Sequence, residues 1–260
     1  MKRMEMFEFM KSLAAEAGKM ALEGRRSLRT EGIYSKATDI DLVTDVDRQV
    51  EAFVDGSIRN RYPDHGIYGE ESGIVNPDSP WRWVIDPIDG TVSFIHDTHY
   101  YCVSIALEYQ GEPVMGAVYA PRLDELYAAE RGKGATLNGE PIHVSGCTRL
   151  RSALFSSGFA CVRAGAEHDN LEEFFPKITR SVQGIRRCGS AALDLCQLAA
   201  GRYDGYWEMG LAPYDCAAGV LIVREAGGRV TDFHGGGNIP DGGIAATNGL
   251  LHDELLKFLH

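Results

Sequence analysis

The chain has 260 residues, 44% of them hydrophobic, and a formal net charge of −11. That is enough for one large domain or two halves sharing a core. No stretch approaches the ~20 apolar residues of a membrane span, the first ten residues lack the apolar segment of a secretory signal, and no basic tract suits a nucleic-acid backbone. The expectation is a cytoplasmic protein with neither a membrane nor a nucleic acid as partner.

Residues 5–27 predict a helix, with Phe7, Met10, Ala14, Ala17 and Ala21 repeating at three and four on one face. Gly32 and Ser35-Lys36-Ala37-Thr38 read as an exposed loop. A second helix starts near Thr44, with Val46, Val50, Phe53, Val54 and Ser57 inward, and ends before Tyr62-Pro63. Residues 81–85 read as a buried strand ending at the turn formers Asp86 and Pro87. Strands follow over 101–108 and 113–119, joined through Gln110-Gly111. Residues 126–129 continue the sheet, and Asn138-Gly139 marks another tight turn.

The pattern changes after residue 150. A strand at 153–157 precedes a helix at 169–180, a helix at 190–200 closed by Gly201, and a strand at 203–207. Residues 213–226 predict a helix with Pro213 in its first turn and Gly227-Gly228 at its end. Strands at 228–232 and 244–247 and a helix at 250–259 complete the chain. The fold class expected is α/β: an α+β metal-binding half over residues 1–150 and an α/β half over 151–260, packed as one unit. The glycines of Gly235-Gly236-Gly237 and Gly242-Gly243 suit a surface loop, because no Gly-Lys-Ser/Thr follows them. The 6 cysteines include no C-x-x-C pair and no zinc spacing, so they read as reduced, mostly buried thiols.

The chemistry concentrates in Trp83-Val84-Ile85-Asp86-Pro87-Ile88-Asp89-Gly90-Thr91. A strand, two acids and a glycine can place hard-cation ligands at a sheet edge beside phosphate-binding amides. A bare turn is the competing account. Acids elsewhere could join: Glu70 and Glu71, the Asp41–Asp47 segment, Asp215 and Glu208. Each has a local alternative. Thr44 with Asp47 suits a helix-capping box, Asp215 a helix start, Glu70 and Glu71 a solvated pair, and Glu208 a strand end. All of them stand beside apolar segments and small residues, as groups do where the backbone passes close to a ligand.

Asp86-Pro-Ile-Asp-Gly-Thr91 resembles the signature of the inositol monophosphatase family of magnesium-dependent, lithium-sensitive phosphatases. Lys36 with Asp41-Leu-Val-Thr44 and Asp47 is similar to that family's N-terminal loop, and Gly69-Glu70-Glu71-Ser72 to its metal motif. Gly189-Ser190-Ala191-Ala192 and Tyr214-Asp215-Cys-Ala-Ala-Gly219 are similar to its C-terminal motifs. The resemblance spans essentially the whole chain.

It implies a layered α-β-α-β-α sandwich, a homodimer, and a small-molecule phosphomonoester substrate. Two to three Mg²⁺ ions would bind per site. Glu70, Asp86 and the Ile88 carbonyl would hold one, Asp86, Asp89 and Asp215 a second, with Glu70 helping a third. The catalytic residues implied are Glu70, Thr91 and Asp47, orienting a water on the first ion. The second ion would stabilise the leaving alkoxide. Phosphate and substrate would meet Asp89, Gly90, Thr91, Gly189, Ser190, Ala191, Glu208 and Asp215, with the Lys36 loop nearby. Glu208-Met209-Gly210 looks like the inositol-selective form. Val92-Ser93 and the His96–Tyr101 segment depart from the family pattern, which bears on leaving-group choice. Loop positions account for His96 and His99 better than metal ligation does. Histidinol phosphate, fructose bisphosphate and, least, nucleotide 3′-phosphate are rival substrates. A non-catalytic metal- or partner-binding protein on the same fold is the reading from another class.

Overall fold

The computed structural model describes residues 2–36, 41–163 and 172–259. Helix α1 (Lys2–Ser27) is followed by a two-stranded hairpin, β1 (Ile33–Ser35) and β2 (Leu42–Thr44), and by α2 (Asp45–Arg61). Met10, Ala14, Ala17 and Ala21 are fully buried on α1, as their spacing predicts. On α2 the inward row ends at Ile58, which is fully buried, rather than at the half-buried Ser57. The expected loop at 32–38 differs too. Residues 33–35 form a strand, too short for its period to show in sequence, and 37–38 lie outside the described residues.

Strands β3 (Gly66–Gly69), β4 (Gly73–Val75) and β5 (Trp81–Asp89) and the one-turn helix α3 (Thr91–Ile95) come next. The antiparallel β6 (Cys102–Tyr109), β7 (Glu112–Ala120), β8 (Glu125–Glu130), β9 (Ala135–Leu137) and β10 (Glu140–Ile142) complete an eight-stranded sheet. Its order is β10-β9-β8-β7-β6-β5-β3-β4. Strand β5 does not stop at Ile85. It runs through Pro87 to Asp89, with a register shift against β6 between Asp86 and Asp89. A bulge is where a strand tolerates a residue lacking an N–H, and it re-aims the side chains on either side.

The second sheet holds β11 (Leu154–Ser157), β12 (Gly184–Arg186), β13 (Gly205–Glu208), β14 (Arg229–Thr231) and β15 (Ile244–Thr247), in the order β12-β11-β13-β15-β14. In chain order its helices are α4 (Ala160–Arg163), α5 (Phe175–Thr179), α6 (Ala191–Ala199), α7 (Pro213–Glu225) and α8 (His252–Leu256). The helix expected at 169–180 is limited, among the described residues, to the turn around Pro176. That proline suits a helix start and not a helix interior. Residues 169–171 lie outside the described residues. The C-terminal helix is also shorter than expected, spanning Leu256 at its end rather than Leu259.

The layers alternate helix, sheet, helix, sheet, helix. Helices α1 and α2 pack on one face of the large sheet through Val50, Val54, Trp83 and Ile105. Helices α6 and α7 fill the space between the two sheets with Leu195, Leu198, Ala218 and Ile222. Helices α5 and α8 cover the outer face of the small sheet around Phe155 and Trp207. This is the α/β sandwich expected. All six cysteines are free, and Cys102, Cys161, Cys196 and Cys216 are buried. No helix among the described residues is long and apolar enough to cross a membrane.

Candidate active site

The bulged end of β5 and the start of α7 bring three acids together. Asp86, Asp89 and Asp215 each offer a carboxylate oxygen, and these oxygens lie within 4.8 Å of one another. Each acid is held from one side. The amide of Ile88 donates to Asp86 Oδ1 at 3.0 Å. Asp89 Oδ2 accepts from Ser190 Oγ at 2.6 Å and from the Ala192 amide at 2.7 Å, both at the N-terminus of α6. Asp215 Oδ2 accepts from the Ala212 amide at 2.6 Å as part of the cap of α7.

Three carboxylates so close resist ionisation. Burial pushes the Asp89 carboxyl up to about 7, against the lowering effect of Ser190 and the Ala192 amide. Asp86 is driven well above its ordinary range by burial, then by Glu70, Asp89 and Asp215. Asp215 moves the same way through burial and Asp89. The donor set is all oxygen, with no thiolate or imidazole, and it lacks a counter-charge. That fits a hard divalent cation.

Glu70 stands where β3 ends, its amide bonded to the Ile85 carbonyl at 3.1 Å. It shares the cavity wall with the three aspartates, but its Oε1 is bound by Lys36 Nζ at 2.8 Å. Lys36 also pairs with Glu71. Burial alone works against the Lys36 charge; the two carboxylates more than offset it and raise its pKa. The buried Glu51 fixes this corner by accepting from the amides of Glu71 and Ser72 at 2.9 and 2.6 Å. Gly69 is required there, since a Cβ would lie 2.6 Å from Glu51 Oε1.

Asp47 and Thr44 form the capping box that their spacing suggests. Asp47 Oδ2 accepts from the Thr44 amide at 2.9 Å and from its hydroxyl. The cap uses one oxygen only. Thr91 Oγ1 lies 3.4 Å from Asp47 Oδ1 and 3.2 Å from the Ile88 carbonyl. Capping and a place at the site are therefore compatible. Burial pushes the Asp47 carboxyl up to about 6. Gly90, at φ 98°, makes the sharp exit from β5, where a Cβ would sit 2.9 Å from the Tyr100 carbonyl.

These residues open on a cavity of about 310 Å³ that also reaches Asp41, Ser93, Arg187 and Gly189. A smaller cavity of about 50 Å³ adjoins it, with Asp89, Asp215, Arg187 and Gly189 lining both. Its wall includes Ser190, Ala191, Asp194 and Glu208. Glu208 is buried at the end of β13, accepting from Tyr206 Oη at 2.6 Å and the Ala160 amide at 3.1 Å. His96 and His99 are exposed and line neither cavity.

A model of the inositol monophosphatase family matches residues 2–260. The chain belongs to the inositol monophosphatase family. It is 45% identical to the inositol-1-monophosphatase of Synechocystis, over 95% of this chain and 85% of that one. It is 41% identical to the Nus factor SuhB of Pseudomonas aeruginosa, over 85% and 83% of the two chains. The solved structure of the inositol monophosphatase from Anabaena superposes with a TM-score of 0.89 at 39% identity, covering 100% of this chain and 96% of that one.

Membership in the inositol monophosphatase family makes the protein a phosphoric monoester hydrolase, and the aspartate trio is an acidic cluster able to hold a metal. Sequence reading missed part of this family member's site. Arg187 follows β12 and lines both cavities. In sequence it is one of two adjacent arginines after an apolar residue, a pattern that reads as a solvated strand end. The Glu51 brace was also missed. A lone acid inside a helix carries no signal until the fold sets it beneath a loop.

Proposed function

We propose that the protein hydrolyses inositol monophosphate to inositol and phosphate with Mg²⁺ in the aspartate site. The supporting observation is the buried trio of Asp86, Asp89 and Asp215 opening onto a cavity of ligand size, with a carboxylate-lined annex beside it. The name carried by the Synechocystis relative supports the choice of substrate.

Asp86, Asp89 and Asp215, with the Ile88 carbonyl and Glu70, are the groups to hold two or three ions. When bound, Mg²⁺ supplies Lewis-acid polarisation of the phosphate and acidification of water. The chain supplies the geometry. Thr91 donates its hydroxyl proton to Asp47 Oδ1, which leaves its lone pairs to accept from the attacking water. Asp47 is itself immobilised by its cap bonds, so the pair is positioned before substrate arrives. Glu70 accepts a proton from the same water once Lys36 releases it. The amides of Gly90 and Thr91 begin α3, where no preceding turn takes them, and they donate to phosphate oxygens. Water adds to phosphorus as Glu70 takes its proton, the bond from phosphorus to the ester oxygen breaks, and the alkoxide leaves as the alcohol by taking up a proton from solvent, to which Glu70 returns its own.

Glu208 selects the alcohol. Its carboxylate is fixed by Tyr206 and the Ala160 amide and faces the annex with Ser190 and Ala191, where it accepts hydrogen bonds from ring hydroxyls. Glu208→Ala tests this. The specificity constant for inositol 1-phosphate should fall far more than that for glycerol 2-phosphate or p-nitrophenyl phosphate. An equal loss across that panel, or a wild-type preference for histidinol phosphate, would show that the ring pocket lies elsewhere or that the substrate is another.

A further inference from the structure

Glu51 is 2% exposed, in a corner that already holds Glu70 and Glu71. A buried acid costs stability unless its charge is used. Here it is used on backbone. Three successive amides of the turn after β3 are tied down: Glu70 to the Ile85 carbonyl of β5 at 3.1 Å, Glu71 to Glu51 Oε2 at 2.9 Å, and Ser72 to Glu51 Oε1 at 2.6 Å. A glutamine could accept from only one of the last two, since its nitrogen offers N–H to the other. The packing leaves no slack. A Cβ on Gly69 would meet Glu51 Oε1 and Ser72 Oγ, each at 2.6 Å.

Lys36 steadies the side chains of Glu70 and Glu71. That hold ends when Lys36 releases Glu70 for the water. Glu70 then stands with Asp86, Asp89 and Asp215 in one cavity wall, all of like charge. Its backbone, clamped on both sides, keeps the carboxylate in place. The clamp shares its base with the other half of the site. Glu51 lies four residues after Asp47 on α2, so both carboxylates project from one face, about 6 Å apart along the axis. Asp47 meets Thr91 through Oδ1 at 3.4 Å. One helix, fixed by its capping box, therefore carries the reference point for both groups that address the attacking water.

We propose that Glu51 is a positioning residue for the hydrolysis. It holds Glu70 through the amides that follow it, so that α2 sets Glu70 and the Asp47–Thr91 pair in a single register. This rests on the roles of Glu70 and Asp47 in the proposed function and deepens that reading.

The test is a double-mutant cycle on kcat for inositol 1-phosphate at saturating Mg²⁺, with Glu51→Gln, Glu70→Gln and the two together. Glu51→Gln should lower kcat ~10–100-fold, the scale of a lost group behind a metal ligand. KM should stay nearly unchanged, because Glu51 lines neither cavity. In the Glu70→Gln background the same change should cost less than about threefold, since groups acting as a unit are not additive. A brace with only a structural role would cost the same factor in both backgrounds, and that result overturns the proposal. So does native kcat in Glu51→Gln when hydrogen exchange shows the Glu71 and Ser72 amides released. Gly69→Ala crowds the same carboxylate without removing it. It should reproduce both the loss and the coupling, and it decides the question if Glu51→Gln does not fold. Native kcat in Glu70→Gln would overturn the role of Glu70 and this proposal with it. An enzyme inert toward inositol 1-phosphate but active on p-nitrophenyl phosphate would overturn only the substrate reading, because the same cycle on that ester still decides for or against Glu51.

Discussion

Asp47 shows how one carboxylate serves two purposes, because its oxygens are used separately. Oδ2 closes the cap of α2, while Oδ1 faces Thr91. The two roles separate by mutation. Thr91→Ala leaves the cap intact and should lower turnover strongly with little change in substrate affinity. Asp47→Asn should lower turnover similarly. If the pair acts as a unit on one water, the double variant loses little more than either single one. Fully multiplicative losses in kcat would contradict that. The cap was legible because Thr44 and Asp47 stand three apart in sequence. The approach of Thr91 was expected only from family resemblance, since no local spacing links it to α2. Arg187 had neither kind of signal. Its place in the wall of both cavities exists only after both sheets have formed.

At the scale of elements, α6 is the part that joins stability to the site. Ser190 caps it, accepting from the Leu193 amide at 3.2 Å, and donates to Asp89. Ser190→Ala should cost about 1 kcal/mol of stability in urea unfolding, as lost caps do. It should also weaken Mg²⁺ binding at neutral pH. Ser190 lowers the Asp89 pKa, so its removal lets protons compete better with the ion. A stability loss with unchanged Mg²⁺ affinity in calorimetry would show that α6 does not tune the site. Helices α1, α2, α6 and α7 and the hairpin of β6 and β7 were legible, because each is long enough to display its period and ends at clear turn residues. Strands β3 and β4 and helices α4, α5 and α8 span three to five residues, too few for a period. Strand β5 looked shorter because proline reads as a breaker, whereas a bulge accommodates Pro87.

For the whole molecule, the acids set a link between pH, metal and stability. The folded-state pKa values of Asp89, at about 7, and Asp47, at about 6, exceed their unfolded values. The stability these groups contribute is present below the unfolded pKa near 4 and is lost as pH rises through 6 to 7. A divalent cation removes the repulsion only after the protons have left. The rise in Tm on adding Mg²⁺ should therefore be larger at pH 8 than at pH 6, and an equal rise at both would contradict the raised pKa values. The central claim is that the trio of Asp86, Asp89 and Asp215 holds the ions that drive phosphate ester hydrolysis. The most direct test measures phosphate release from inositol 1-phosphate across a Mg²⁺ titration, for the wild type and Asp89→Asn, with thermal unfolding of both. Wild-type turnover should require Mg²⁺. The variant at saturating Mg²⁺ should be slower by at least ~10²-fold, the scale of one lost electrostatic stabiliser, yet without Mg²⁺ it should unfold cooperatively at an equal or higher Tm, since crowded acids are a cost to the fold. Near-native turnover in Asp89→Asn, or wild-type turnover that survives chelation, would contradict the account.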